Sequence, residues 1–453
     1  MQSEKVQGRR SAWVLVCAGL SLLGASFHVR AMPAFTVQTG DTCAQCHTSA
    51  FGPALTQRGR EFKLNGFSAG KYNIVPLSAT AIGSFAHLNE DAPSPPHPSL
   101  SLNDNAVLNE ASLFLASRIT KRSGGYLSAT YDRLNAHTRW DDIDVRYVHP
   151  FSIGEKASLL TGVTVNNNPT VQDLWNSAPA KRYPYVDTGM LPTPAAAPLI
   201  DGALSHQVLG TSIYAMLNDH YYLEVGAYRG LSGNWLDKMG MDPDASLHPE
   251  DVLPYWRAVA QRSFGRHRFS LGLMSLTVNL KPDSAIAESD RYVDEGIDAT
   301  YEFIDSLNNA LNVNLAWLHE RRNLEASAAL GLSDDVRNDL YTRRVDVTYS
   351  YDQTMVISGG WFDTKGTTNT LLWTPAPYTG SANGSPNTRG YSVQFEFIPF
   401  GKTTSPVYTH FNFRLGLRYT TYDFFNGGEL DYDGSGRSAS DNESVFGFAW
   451  LAF

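Results

Sequence analysis

Residues 407–420 read VYTHFNFRLGLRYT. In an extended chain Val407, Thr409, Phe411, Phe413, Leu415, Leu417 and Tyr419 share one face. Tyr408, His410, Asn412, Arg414, Gly416, Arg418 and Thr420 share the other. Successive side chains of a strand point to opposite faces, so the stretch predicts a strand with one apolar and one polar wall. The rhythm recurs upstream. Tyr341, Val345, Val347, Tyr349 and Tyr351 oppose Thr342, Arg344, Asp346, Thr348 and Ser350, and Val293, Ile297, Ala299, Tyr301 and Phe303 oppose Asp294, Gly296, Asp298, Thr300 and Glu302. Leu311, Val313, Leu315 and Trp317 likewise oppose Asn312, Asn314 and Ala316. Apolar side chains on one face and charges on the other suit a barrel wall between lipid and a wet lumen. A β-sandwich alternates in the same way, so connection lengths have to separate the two.

Sixteen candidate strands begin near residues 78, 106, 124, 140, 156, 204, 221, 253, 267, 291, 309, 338, 354, 389, 407 and 443. Long connections fall near 89–105, 166–203, 231–252, 322–337, 365–388 and 423–442. Short turns fall near 120–123, 219–220, 305–308 and 352–353. Outer-membrane barrels are built on this alternation, with short periplasmic turns and long outer loops. The sequence therefore predicts an all-β transmembrane antiparallel barrel of about 16 strands over residues 77–453. The final stretch SVFGFAWLAF, 444–453, ends on an aromatic residue, as barrel-assembly signals do. Its second face, Phe446, Phe448 and Trp450, is apolar where a lumen should be polar. Either a packed plug covers it or the register is shifted by one.

Composition agrees. The chain has 453 residues, a net charge of −9, only 18% charged residues, 12% aromatics and 37 glycines. Aromatic strands joined by glycine-rich turns fit that mix. No basic face is available for nucleic acid. Residues 1–31 read as a cleaved signal peptide: Lys5, Arg9 and Arg10 precede the apolar run 11–26, which is shorter than the ~20 residues a spanning helix needs. Export through that signal to the outer membrane is the expected location.

The one sharp chemical motif is CAQCH at 43–47. Two thiols at this spacing can hold one covalent haem c, with the adjacent His47 as proximal iron ligand. A thioredoxin-like pair would want a βαβ context, and a zinc site would want two further ligands at matching spacing. Neither is present in the sequence. PALTQRGREFKLNGF, 53–67, reads as a short helix stopped at Gly66, with Leu55, Phe62 and Leu64 placed to cover a haem edge. No methionine follows the motif closely. For the distal position His87, in the strand-like run AIGSFAHLN, ranks first and Met32 second. His97 lies in a proline-rich stretch and reads as exposed loop.

Residues 31–67, AMPAFTVQTGDTCAQCHTSAFGPALTQRGREFKLNGF, resemble the N-terminus of the outer-membrane cytochrome–porin fusions, which include iron-oxidising outer-membrane cytochromes. Pro33, Phe35, CAQCH and GREFKLNGF carry the likeness. The resemblance implies a monohaem c-type cytochrome segment at 32–76, helical and seated inside the barrel lumen, with Cys43, Cys46 and His47 holding the haem. It also implies electron transfer across the outer membrane, from an extracellular donor such as Fe(II) to a periplasmic carrier, with Fe(II) oxidation as the associated activity. Two other readings stay open. One is a diffusion porin with a periplasmic cytochrome appendage. The other is a soluble periplasmic cytochrome fused to an all-β binding domain.

Overall fold

Leu417 is 56% exposed while Arg418, its neighbour, is 5% exposed. The apolar face of each strand turns outward and the polar face inward, in the register the alternation requires. The computed structural model describes residues 34–50, 52–72, 76–134, 136–154, 157–282, 287–305, 309–402 and 411–453. The expected signal peptide, Met32 and residues 407–410 of the opening stretch lie outside them.

Sixteen long strands follow a helical N-terminal segment: β1 (Leu77–Leu88), β2 (Asn105–Thr120), β3 (Ser123–Asp132), β4 (His137–Ile153), β5 (Ala157–Asn166), β6 (Val208–Leu217), β7 (Tyr221–Gly230), β8 (Leu253–Phe264), β9 (His267–Leu280), β10 (Asp290–Ile304), β11 (Ala310–Asn323), β12 (Arg337–Tyr351), β13 (Met355–Gly366), β14 (Thr388–Phe397), β15 (Asn412–Phe424) and β16 (Ser444–Ala452). Each pairs antiparallel with its sequence neighbours. β16 returns to pair with β1, from Thr80 opposite Ala452 to Leu88 opposite Ser444. Closure leaves no sheet edge exposed. A two-residue strand, Pro249–Glu250, adds to the end of β9.

The connections alternate as expected. Residues 121–122, 218–220, 265–266 and 352–354 are tight turns at one end of the barrel, where β1 also begins and β16 ends. Residues 89–104, 167–207, 231–252, 324–336, 367–387 and 425–443 form the loop end. The exceptions are 398–411, a longer connection on the turn end, and 133–136, a four-residue connection on the loop end.

Residues 167–207 do not stand away from the barrel as a connection of that length suggests. Val171, Leu174, Ala178, Tyr183, Ile200 and Leu204 are all buried. Ala178, Ile200 and Leu204 pack on Tyr228, Leu253, Tyr255, Met274 and Leu318 of the inner wall. Val186 and Met190 pack on Ile82, Ala86, Phe446 and Phe448. The apolar inner face of β16 is therefore in the right register, and its cover is this loop rather than the N-terminal segment. Burying those side chains offsets the ordering entropy that keeps most long loops mobile.

Three short helices make up the N-terminal segment: α1 (Ala34–Thr39), α2 (Cys43–Cys46) and α3 (Gln57–Leu64). Thr56 caps α3, its hydroxyl accepting from the Gly59 amide, and Gly66, at φ +66°, turns the chain away beyond its end. Phe35, Phe62 and Phe67 form one aromatic cluster, with ring centroids 5.0–5.7 Å apart.

Candidate functional site

Charges that the alternation places mid-wall are used to anchor the folded-in segments. Arg257 of β8 is fully buried. Its guanidinium lies 2.9 Å from Asp173 of the 167–207 loop and 2.9 Å from Asp298 of β10. Ser177 of the loop donates to Asp298 as well. Arg146 of β4, also fully buried, pairs with Asp144 at 2.8 Å. It donates onward to the Lys63 carbonyl at 3.2 Å and the Gln172 carbonyl at 2.9 Å. One guanidinium thus joins wall, N-terminal segment and loop. A buried charge left unpaired is costly, so these contacts hold the three parts in one arrangement.

Further along the loop, the Arg418 guanidinium of β15 donates to the Val186 carbonyl at 2.8 Å. The amides of Leu199 and Ile200 donate to Glu320 and Asp294 at 2.6 and 2.7 Å. The loop is therefore pinned to β4, β8, β10, β11 and β15, strands that lie on different sides of the barrel.

Near the loop's two ends, Lys181 pairs with Asp142, and His206 Nε2 lies 2.9 Å from Asp141. Burial works against the charge on His206, but the two carboxylates outweigh it and hold the imidazole up at about 9. Ligand atoms of Asp141, Asp142 and His206 lie within 4.8 Å of one another. The Lys181 ammonium already sits on Asp142 and His206 is cationic, so the group is a charged clasp rather than a set of open metal ligands.

The N-terminal segment makes its own wall contacts. Arg60 lies 3.1 Å from Glu302 of β10. Lys63 donates to the Val171 and Asp173 carbonyls, both at 2.7 Å. Burial, with Arg146 beside it, brings the Lys63 ammonium down to about 8. The Tyr214 hydroxyl donates to the Leu64 carbonyl, and Arg414 donates to Ser49.

Ala44, Gln45 and His47 border a cavity of about 470 Å³ at the turn end, closed on the wall side by Arg268, Ile304, Ala310 and Gln353. Cys43 and Cys46 are one helical turn apart, so their side chains leave the same face of α2. His47 Nδ1 is buried with no hydrogen-bond partner. Burial brings the imidazole down to about 4, which keeps it neutral as a metal ligand must be. Burial also raises both thiols, Cys46 to about 11. Thiolate chemistry of the thioredoxin kind is thereby disfavoured. His47 thus meets the cavity with a neutral, buried imidazole, while the thiols of Cys43 and Cys46 leave α2 without lining it.

The remaining sequence-based site expectations fare differently. Phe62 and Leu64 do not border this cavity: Phe62 joins the aromatic cluster and Leu64 packs with Leu174 and Tyr214. Thr56, Gln57, Arg58 and Glu61 face the cavity instead. His87 is not brought to His47. It lies on the outward face of β1 near the loop end, with Nδ1 2.7 Å from Asp104. Leu77 begins β1 at the turn end, so roughly 30 Å of strand separates His87 from the level of the cavity. Among the described residues, no second histidine and no methionine lines the cavity. The 167–207 anchors were missed by sequence reasoning. The signal was available in the apolar Val171, Leu174, Trp175, Val186 and Met190 of a supposedly exposed loop, and in the mid-strand Arg146 and Arg257.

No family model matches the chain, and no curated protein matches it. Among solved structures it is similar to OprB of Pseudomonas putida in its high-pH form, at 10% identity over 88% of this chain and 98% of that one, with a TM-score of 0.49. It is also similar to the outer-membrane channel DcaP of Acinetobacter baumannii, at 12% identity, 83% and 96% coverage and a TM-score of 0.45. The outer-membrane protein OmpT of Vibrio cholerae is matched at 12% identity, 83% and 96% coverage and a TM-score of 0.42. These matches correct the resemblance drawn from residues 31–67, because they are to outer-membrane barrels and a channel, not to cytochrome–porin fusions. Electron transfer from an extracellular Fe(II) donor to a periplasmic carrier rested on that resemblance and is withdrawn with it, as is iron oxidation. A closed barrel with an apolar outer band and a polar inner wall places the protein in the outer membrane, which also sets aside the soluble periplasmic reading.

Proposed function

We propose that the protein is a diffusion channel of the outer membrane whose lumen is narrowed by two folded-in segments. The 167–207 loop constricts it from the loop end, and helices α1–α3 of the N-terminal segment sit in the turn-end mouth inside the barrel. The observation that carries this reading is the set of buried ion pairs between the loop and strands on different sides of the wall, Arg257 with Asp173 foremost. Sixteen strands otherwise enclose an aqueous channel. Segments pinned across such a lumen leave a narrow, charge-lined path suited to ions and small polar solutes.

On the same proposal, Cys43 and Cys46 hold one haem c covalently, with His47 as the proximal ligand, in the turn-end mouth. When bound, that haem supplies a one-electron redox couple on the periplasmic side. The chain's own residues supply its setting: α2 orients the two thiols, burial keeps His47 neutral, and Arg58, Glu61 and Arg268 border the cavity.

The test is conductance of the purified full-length protein in planar bilayers. The wild type should give a small ohmic conductance, and Asp173→Ala combined with Asp187→Ala, which removes the loop's ion pairs with Arg257 and, at 3.1 Å, with Arg418, should raise it several-fold. Absence of conductance from both proteins would overturn the channel reading.

A further inference from the structure

The outer wall is apolar over most of its circumference, but not near the loop end of β10–β14. There the outward positions are Arg291 on β10, Arg321 on β11, Arg337 and Arg343 on β12, Lys365 on β13 and Arg389 on β14. Their outward direction follows from the register. Arg321 lies opposite Val293, Arg343 opposite Trp317, Lys365 opposite Tyr341, and Arg389 opposite Asp363. The residues between them, Asp290, Glu320, Asn338 and Thr388, point inward and are buried. On β5 and β6 the same level of the wall is apolar, Val163, Val165 and Leu209 being 36–47% exposed, and the outward Arg229 of β7 stands there as a single cation.

Three acids share the patch, and each already has a partner. Glu295 lies 2.9 Å from Arg321, Asp339 lies 2.7 Å from His319, and Asp363 lies 3.1 Å from Arg389 and 3.9 Å from Arg343. Among the described residues Arg291, Arg337 and Lys365 have no ion-pair partner. Trp317, Tyr341, Trp361 and Tyr391 lie on the same outward face of these strands, with His319 stacked on Tyr341 at 4.3 Å. Aromatic residues of this kind form the girdle that marks the level of lipid headgroups. The cationic strip therefore stands where the acyl chains end and the headgroups begin, on the outer leaflet side.

We propose that this strip is a binding site for the phosphorylated glycolipid of the outer leaflet. The aromatic girdle packs on its upper acyl chains, and Arg291, Arg337 and Lys365 hold its phosphates. Guanidinium groups suit phosphate because they offer several donors in a planar fork. Surplus cations facing lipid are costly unless an anion meets them, and at this height the available anion is the headgroup phosphate. The strip spans five neighbouring strands at about 4.8 Å each, wide enough for a headgroup bearing two phosphates.

The test uses the full-length protein in detergent micelles, with bis-phosphorylated lipid A as the probe and native mass spectrometry as the readout. The wild type should retain bound lipid A. The variant Arg291→Gln, Arg337→Gln, Lys365→Gln should bind it at least tenfold more weakly while keeping its heat-modifiable barrel mobility. A control with the same loss of charge at the turn end, Lys121→Gln, Arg122→Gln, Arg266→Gln, should bind like the wild type. Dephosphorylated lipid A should bind the wild type as weakly as bis-phosphorylated lipid A binds the first variant. Millimolar inorganic phosphate should not compete if the site takes the lipid. Competition by free phosphate would mark it as a simple anion site and overturn the lipid assignment. Equal binding by the triple variant and the wild type would overturn the site itself.

Discussion

Arg257 and Asp173 meet at 2.9 Å with neither side chain more than 1% exposed. One belongs to the middle of a barrel strand and the other to a loop that length alone would place in solvent. Asp298 accepts the other side of the guanidinium, and the Arg257 guanidinium carbon lies 5.7 Å from the Trp175 ring centre. The wall thus carries a charge that has both carboxylate partners only when the loop is folded in. Loop position and wall electrostatics are two aspects of one arrangement.

Asp173→Ala should therefore do more than trim a loop contact. It leaves Arg257 with Asp298 alone and frees the Ser177 amide, which Asp173 accepts at 3.2 Å. Breaking a buried pair by removing one partner costs about 3–5 kcal/mol, reduced here because Asp298 remains. The expected result is faster trypsin cleavage after Lys181 and Arg182, with the barrel still heat-modifiable. The Asp173→Ala, Arg257→Ala double variant should be cleaved more slowly than the sum of the single effects predicts, since removing both charges leaves neither stranded. Strict additivity would mean that the pair does not hold the loop.

The barrel was legible because its signal is periodic. Strands beginning at Tyr221, Leu253 and His267 start where the alternation placed them. Short turns punctuate them, and the outward side chains Leu415, Leu417 and Tyr419 face lipid as read. Two things were not legible. The path of 167–207 depends on contacts with Tyr255, Met274 and Phe446, more than fifty residues distant in sequence, and no local pattern encodes them. The facing of His87 was ambiguous because LSATAIGSFAHL carries small residues on both sides. The polar lining from Thr56 to Glu61 was not legible either, because a short helix's facing is set by what it docks against.

Lys63 makes docking of the N-terminal segment depend on pH. Its ammonium is lowered from an ordinary value of 10.5 to about 8 when docked. Between these values the undocked state binds more protons, so docking strengthens as pH rises from 8 to 10.5, by about 3 kcal/mol at most. Below pH 8 the penalty is present in full. Amide exchange in residues 57–64 should therefore slow, relative to the intrinsic rate, as pH rises through that window. In Lys63→Met the pH dependence should vanish. A wild-type trend of opposite sign would show that the ammonium is favoured by its site.

His206 acts in the opposite direction. Its imidazole is raised from 6.5 to about 9 against Asp141 and Asp142. The stability it contributes is present in full below pH 6.5 and is lost as pH rises through 9. His206→Gln, made in the Lys63→Met background so that Lys63 adds no trend of its own, should abolish the loss of the loop's protease resistance over that range. If the wild type is equally resistant at pH 6 and pH 10, the clasp contributes nothing.

The haem proposal has a direct check. Wild-type protein co-expressed with a haem-attachment system should keep its haem stain through denaturing electrophoresis. Cys43→Ala with Cys46→Ala should abolish the stain, because no other thiol remains once a signal peptide containing Cys17 is removed. His47→Ala should leave a misligated or absent haem. Stain-free wild-type protein from a competent host would remove the cofactor from the proposal and leave the barrel and its loop unaffected.

Sidedness follows from parity. Sixteen antiparallel strands return both barrel ends to the turn side, and the long loops occupy the other. Leu430, 76% exposed in the 425–443 loop, and Trp235, 56% exposed in the 231–252 loop, should each become reactive from outside the cell when replaced by cysteine. The background is a chain with Cys43 and Cys46 changed to Ala. Lys121→Cys, in the turn between β2 and β3, should react with a membrane-impermeant maleimide only after the outer membrane is breached. Ala178→Cys is the sharpest case, because its loop sits on the outer side by topology yet the residue is fully buried. It should stay unlabelled on intact cells and on breached cells alike, and become reactive once Asp173→Ala loosens the loop. Ready labelling of Ala178→Cys in the otherwise wild-type protein would mean that the loop stands out from the barrel, and the narrowed-lumen reading would fall with it.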